Sequence, residues 1–145
     1  MGLPFLPPLE FLEGSVDDLR RPLVRIEAAG FSDPLVAFID TGFNGAIIVD
    51  ASQAARFGFL VSSQYARAQL ASQRDENFLL GRGRLLWLGE QVSVTAYILI
   101  EAPKVRSARR ARKIHEEVLI GTELLANCRV ELDFPGRRVL VARTA

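Results

Sequence analysis

The chain is poor in the residues that make staples and metal sites: its 145 residues include one cysteine, Cys128, and one histidine, His115. A single thiol excludes an internal disulfide, and one His with one Cys leaves no cluster of metal-site spacing. Charge of one sign is lacking as well, since 18 basic residues face 17 acidic ones. That near-neutrality supplies no global drive toward nucleic acid. No apolar run is long enough to span a membrane, and Met1 to Leu12 carries Pro4, Pro7 and Pro8 without the basic start of a signal peptide. A soluble protein of the reducing cytoplasm, with no membrane partner, is therefore expected. Internal repeats and low-complexity tracts are missing too. What is present, 49% hydrophobic and 24% charged residues, suits one globular domain with its own core and is too short for two. We expect an extended N-terminal arm over residues 1–14 and a single domain over 15–145.

Along that domain the pattern is mostly β. The stretch from Arg21 to Gly30 partly alternates and leads through Ser32-Asp33-Pro34 into a second strand, Leu35 to Asp40. AIIVD (46–50) reads as a β-branched strand, and ASQAARF (51–57) as a short helix ending at Gly58, with Asp50 or Ser52 as its cap. A run of hairpins follows, with polar residues over 62–77, a Gly81-Arg82-Gly83 break, and Val92, Val94 and Ala96 alternating with polar neighbours. After the basic stretch 104–113 come a strand to Gly121, a helical turn at TELLAN, and two strands joined at Pro135-Gly136.

One stretch asks for chemistry. In FIDTGFNGAIIVD (38–50) the chain leaves an apolar run, places a carboxylate at Asp40, and passes Thr41 and two glycines before becoming apolar again. A carboxylate at the end of a buried strand is costly to desolvate unless hydrogen-bonded, paired or used. Thr41 offers a hydroxyl to tie the loop down, and Gly42 permits close backbone approach or a positive φ. Alone, Asp-Thr-Gly also describes an ordinary turn at a strand end.

Its context is more specific. Asp40-Thr41-Gly42-Phe43-Asn44-Gly45, followed much later by Leu119-Ile120-Gly121 and Thr122-Glu123-Leu124-Leu125, resembles the retropepsin-like aspartic proteases, in particular small bacterial and archaeal single-domain members with an extended D-T-G-F signature. The likeness runs from about residue 14 to 143 and includes the closing strands around Val130 to Phe134 and Val139 to Val141. It implies an acid-protease barrel, mostly β with one or two short helices, whose half-site is completed by homodimerisation. Asp40 would be catalytic and Thr41 and Gly42 would shape its loop. Phe43, Asn44, Gly45, Leu119, Ile120 and Gly121 would support it. Two copies of Asp40 at a two-fold axis would share a proton and activate water against a peptide bond, needing no metal or organic cofactor. A flap is expected at Arg74, Asp75 and Glu76, between arms at Tyr65 to Ala71 and Phe78 to Gly83. The expected partners are a second copy and a peptide or protein substrate. The rival reading keeps the barrel as a dimeric peptide-binding module that cleaves weakly or not at all.

Other features have plain structural readings. Six cations between Lys104 and Lys113 describe a solvated loop before they describe a nucleic-acid site, because few aromatics accompany them and Glu116 and Glu117 follow. His115 reads as a surface residue, Cys128 as an inert buried thiol and Trp87 as core or dimer interface. Asp133 reads as a solvent-facing charge. Asp17 and Asp18 are placed to pair with Arg20 and Arg21.

Overall fold

A computed structural model of the chain describes residues 11–69, 75–100 and 118–144. The basic stretch 104–113, His115 and the hairpin tip at Arg74 lie outside those residues.

The elements in chain order are β1 (Phe11–Val16), β2 (Pro22–Ala28), β3 (Pro34–Ile39), β4 (Ile47–Asp50), α1 (Ala51–Arg56), β5 (Leu60–Gln69), β6 (Asp75–Trp87), β7 (Glu90–Leu99), β8 (Val118–Ile120), α2 (Thr122–Leu125), β9 (Cys128–Asp133) and β10 (Arg138–Arg143). Six strands close into a barrel in the order β2-β3-β8-β4-β7-β6, sealed where Glu27 and Ala28 of β2 pair with Leu86 and Leu85 of β6. Alternation along the strands sends Val24, Ile26, Ala28, Leu35, Ala37, Ala96 and Ile98 inward, all nearly inaccessible to solvent. β4 reads as an unbroken apolar run because Ile47, Ile48 and Val49 are all buried, flanked by β7 on one edge and β8 on the other.

Local chemistry starts and stops the helix between β4 and β5. Asp50 accepts the Gln53 N–H at 2.7 Å while the Gln53 side chain accepts the Asp50 N–H at 3.2 Å, a reciprocal cap. Gly58, at φ 72°, ends the helix: its N–H reaches the Ala55 carbonyl while the Phe59 N–H reaches that of Ala54, a Schellman motif. At the β6–β7 hairpin Leu88 and Gly89 both take positive φ, the geometry of a type I′ turn, with Trp87 opposite Glu90. Trp87 itself is core, 5% exposed.

The structure differs from sequence expectation in two places. Gly81-Arg82-Gly83 is no break, because β6 runs through it as one strand of 13 residues. Both glycines are there for space: a side chain at Gly81 meets Ile98, and one at Gly83 meets the Phe59 ring at 2.6 Å. The irregularity lies instead on β5, between Val61 and Tyr65. A strand also precedes the one beginning near Arg21, since β1 pairs along its length with β10 and β10 with β9. These three strands form a sheet appended to β2. The turn between β9 and β10 falls at Pro135-Gly136 as expected, with Gly136 N–H donating to Asp133 Oδ1 and the positive φ at Arg137.

The β1–β2 connection is built on Asp17. Its Oδ1 accepts the N–H groups of Leu19 and Arg21, and its Oδ2 accepts Arg21 Nε at 2.8 Å. Asp18 pairs instead with Arg137 across the sheet. Partial burial raises the Asp17 carboxyl, but the Arg21 and Leu19 hydrogen bonds and the Arg21 charge together outweigh it and hold the group below its ordinary value. A folded-state pKa lowered in this way contributes stability above the unfolded-state pKa, and that stability disappears as pH falls through the folded one. Thermal denaturation should therefore find Asp17→Asn less stable than wild type at neutral pH, with the gap closing under strong acid. A gap independent of pH would rule out the charge as its source.

Candidate active site

Asp40 to Gly45 and Leu119 to Gly121 come together at one end of the barrel because β8 threads between the strands flanking the Asp40 loop. On one side β8 runs parallel to β3, placing Leu119 opposite Phe38 and Ile120 opposite Ile39. On the other it runs antiparallel to β4, placing Ile120 opposite Ile47 and Leu119 opposite Ile48. Residues 40–46 must therefore arch over the end of β8, where Gly121 lies.

That arch is held by backbone hydrogen bonds at both feet. Asp40 N–H donates to the Ile120 carbonyl at 2.9 Å, and Gly121 N–H to the Ala46 carbonyl at 3.0 Å. Thr122 N–H donates to the Phe43 carbonyl at 2.9 Å and Glu123 N–H to the Gly45 carbonyl at 3.2 Å, so the first turn of α2 satisfies the underside of the loop. Gly121 is required by this closeness. A β-carbon there would fall within contact distance of the Phe43 and Gly45 carbonyl oxygens and 2.5 Å from the Phe43 ring.

Within the arch, Phe43 N–H closes a turn onto the Asp40 carbonyl at 3.1 Å, and Gly42 N–H donates to Asp40 Oδ1 at 2.9 Å. This second bond fixes one carboxylate oxygen and leaves Oδ2 for other partners. Asp40 is half-buried, and Thr41, Gly42 and Asn44 are exposed. The glycines with positive φ among the described residues are Gly30, Gly58 and Gly89, so the freedom Gly42 provides is not a left-handed backbone.

Phe43 anchors the loop from below. It is 1% exposed, and its ring stacks edge-to-face on Tyr97 at 5.2 Å, which in turn meets Phe78 at 5.7 Å. Burying such a ring is worth about 1.5–3 kcal/mol, and each edge-on aromatic pair adds roughly 0.5–1.5 kcal/mol. Gly45 lies against the same rings, with a β-carbon there 2.5 Å from Tyr97. Tyr97 and Phe78 escape sequence reasoning because they lie on the faces of β7 and β6 opposite the inward Ala96, Ile98 and Leu85, where alternation does not mark a residue as supporting a distant loop. On the outer side, Arg21 lays its guanidinium over the Phe38 ring at 4.2 Å.

Beside this loop stands the β5–β6 hairpin, whose described ladder runs from Leu60 opposite Arg82 to Gln69 opposite Asp75. Val61 and Tyr65 on β5 are exposed. Asp75 and Glu76, expected in the flap turn, fall on the ladder instead; of the expected arms, Tyr65 to Gln69 and Phe78 to Gly83 belong to its two strands, and residues 70 and 71 lie outside the described residues. Cys128 is half-buried at the start of β9, and burial pushes its thiol up, although Trp87 and Arg143 oppose the shift. Among the described residues no group of three or more His, Cys, Asp or Glu could hold a metal ion, and no helix is long and apolar enough to cross a membrane.

A closed six-stranded barrel in which an L-I-G strand passes beneath an Asp-Thr-Gly arch is a retropepsin-like acid-protease fold. Among solved structures, the chain is similar to the crystal structure of a retropepsin-like aspartic protease from Rickettsia conorii, with a TM-score of 0.62 over 92% of this chain and 90% of that one. The two share 12% sequence identity, so the likeness extends to the fold. No family model matches the sequence, and no curated protein does.

Proposed function

We propose that the chain is an aspartic endopeptidase that works as a homodimer, with Asp40 of each copy supplying one carboxylate. The observation that carries this reading is the arch itself: a carboxylate held by the Gly42 N–H, on a loop locked over Gly121, in a retropepsin-like barrel. In one chain Asp40 stands at the protein surface beside the exposed Thr41 and Gly42. A second copy would bring its Asp40 alongside, with Thr41 bracing the contact across the axis. Two adjacent carboxylates share one proton. The ionised one takes a proton from water, whose oxygen attacks the peptide carbonyl carbon, while the protonated one donates to the carbonyl oxygen. Collapse of the tetrahedral intermediate breaks the C–N bond, and the amine leaves with a proton from the dyad.

The β5–β6 hairpin supplies the flap in this reading, and its exposed Val61 and Tyr65 favour an extended substrate with apolar side chains. For the dimer, β9 is the outermost strand of the appended sheet, and Leu132 and Phe134 are exposed beside it. Residues 11–14 of the arm are already paired with β10, so among the described residues the outer edge of this sheet belongs to the C-terminal hairpin.

The test is cleavage of a diverse peptide library by purified protein from acidic to neutral pH. Cutting beside apolar residues, strongest in acid where one carboxylate of the pair holds a proton, is the expected outcome. Activity climbing steadily above neutrality would contradict the shared proton. A folded dimer that binds peptides and cuts none would leave the binding-module reading.

A further inference from the structure

The barrel carries a second apolar cluster, separate from its core. On β4, β7 and β8 the residues between the inward ones, Ile48, Tyr97, Leu99 and Leu119, are apolar too, and they gather with Phe43 and Phe78 on the opposite face of the sheet. Register lines them up. Leu119 lies opposite Ile48, Ile48 opposite Tyr97 and Tyr97 opposite Leu80, a row that crosses from β8 to β6. At one end of the cluster Phe43 belongs to the Asp40 loop. At the other end Phe78 marks the root of the β5–β6 hairpin: Phe78 opposite Leu99 is the last rung that β6 shares with β7, and from Asp75 to Asn77 the described ladder of β6 is with β5 alone. The Tyr97 ring stands between the two, edge-on to Phe43 at 5.2 Å and to Phe78 at 5.7 Å.

We propose that Tyr97 is a positioning residue that couples the Asp40 loop to the root of the β5–β6 hairpin, a role that, for catalysis, rests on the endopeptidase reading. Edge-on ring contacts are directional, so a shift of the Phe78 ring alters the seat of Tyr97 and, through it, that of Phe43. The cluster is close-packed enough to pass such a shift on: Phe43, Ile48 and Phe78 are each at most 4% exposed. From Phe43 the path to the carboxylate is one turn of backbone. The Phe43 N–H closes onto the Asp40 carbonyl, and the Phe43 carbonyl accepts the Thr122 N–H, so the ring and the arch move together. Displacing a catalytic group by about 1 Å can cost roughly 10²-fold in rate. Because the cluster and the barrel core lie on opposite faces of the same strands, the coupling can be changed without cutting into that core.

Amide hydrogen exchange in the full chain, followed by NMR, reads the coupling without any substrate. Phe78→Leu, a change confined to the hairpin root, should speed exchange of the Phe43 and Thr122 amides about tenfold, the upper end of what one edge-on ring pair is worth. In a Tyr97→Leu background the same change should add nothing further, while Tyr97→Phe, which keeps the ring, should leave arch exchange as in wild type. The control is Ile98→Val, a loss of buried volume on the core face of the same strand. Arch amides that answer Ile98→Val as strongly as Phe78→Leu, or effects of Phe78→Leu and Tyr97→Leu that simply add, would overturn the coupling. Steady-state kinetics tests the positioning role: Tyr97→Leu should lower kcat about tenfold with KM unchanged, Tyr97→Phe should retain wild-type kcat, and a kcat indifferent to Tyr97→Leu would overturn that role. Wild-type protein that cuts no peptide would sink the endopeptidase reading by itself, and the exchange rates would still decide the coupling.

Discussion

Asp40→Asn should reduce peptide cleavage by at least the 10²–10⁴-fold that general acid–base groups typically supply, with no change in melting temperature or dimer content. Fold and chemistry separate cleanly at this position. An asparagine Oδ1 can still accept the Gly42 N–H, and the Asp40 backbone bonds to Ile120 and Phe43 are untouched. What disappears is the ionisable group that the proposed mechanism requires to hold and release a proton in turn. Mixing gives a sharper form of the experiment. If both copies of Asp40 form one catalytic pair, each mixed dimer is inactive, and adding excess Asp40→Asn protein should suppress wild-type activity in proportion to the excess. Wild-type activity that merely persists in the mixture would mean that each chain works alone, and the paired mechanism would fail.

The second large effect is structural. Gly121→Ala should destabilise the protein by roughly 3 kcal/mol, at the upper end of what overpacking costs, because the added methyl meets two backbone carbonyl oxygens, which cannot rotate aside, as well as the buried Phe43 ring. For a chain of this size that corresponds to a melting temperature lower by about 10 °C, measurable by calorimetry or circular dichroism. Any relief must come from lifting the arch, so the loss of stability should be accompanied by loss of whatever Asp40 does. Gly45→Ala should cost less, since the Phe43 and Tyr97 rings it meets can rotate or shift. Gly30→Ala, with nothing within 4 Å of the new methyl but a φ of +89°, isolates pure backbone strain and should cost about 1 kcal/mol. If Gly121→Ala proved no worse than Gly30→Ala, the packing of the arch against β8 would be wrong.

Residues differ in how plainly the sequence announces them. Asp50 could be assigned as a helix cap because capping depends on neighbours three positions away, and both halves of that exchange are written in Asp50 and Gln53. The inward residues of β7 were legible for a similar reason, since alternation is a property of consecutive residues. Gly81 and Gly83 were misleading because a glycine's local meaning, a break, competes with its packing meaning, room for Phe59 and Ile98. Only the fold chooses between them. β1 was legible only as part of an extended arm, without its partner: half its positions are polar or glycine, and it is held by β10, which lies more than a hundred residues away.

The candidate site divides along the same line. The sequence by itself determined that an Asp-Thr-Gly-Phe loop and a later Leu-Ile-Gly would occur in a mostly β chain without thiol or histidine chemistry to compete with them. It also determined the local grammar of caps, turns and alternating strands, because those energies depend on residues within a few positions of one another. Tertiary structure alone decided that β8 passes between β3 and β4, that Gly121 therefore lies directly beneath residues 43–45, and that Tyr97 and Phe78 hold Phe43 from below. These outcomes depend on which strands meet across the barrel, and strand pairing is settled by the packing of the whole core, not by any one segment of the chain.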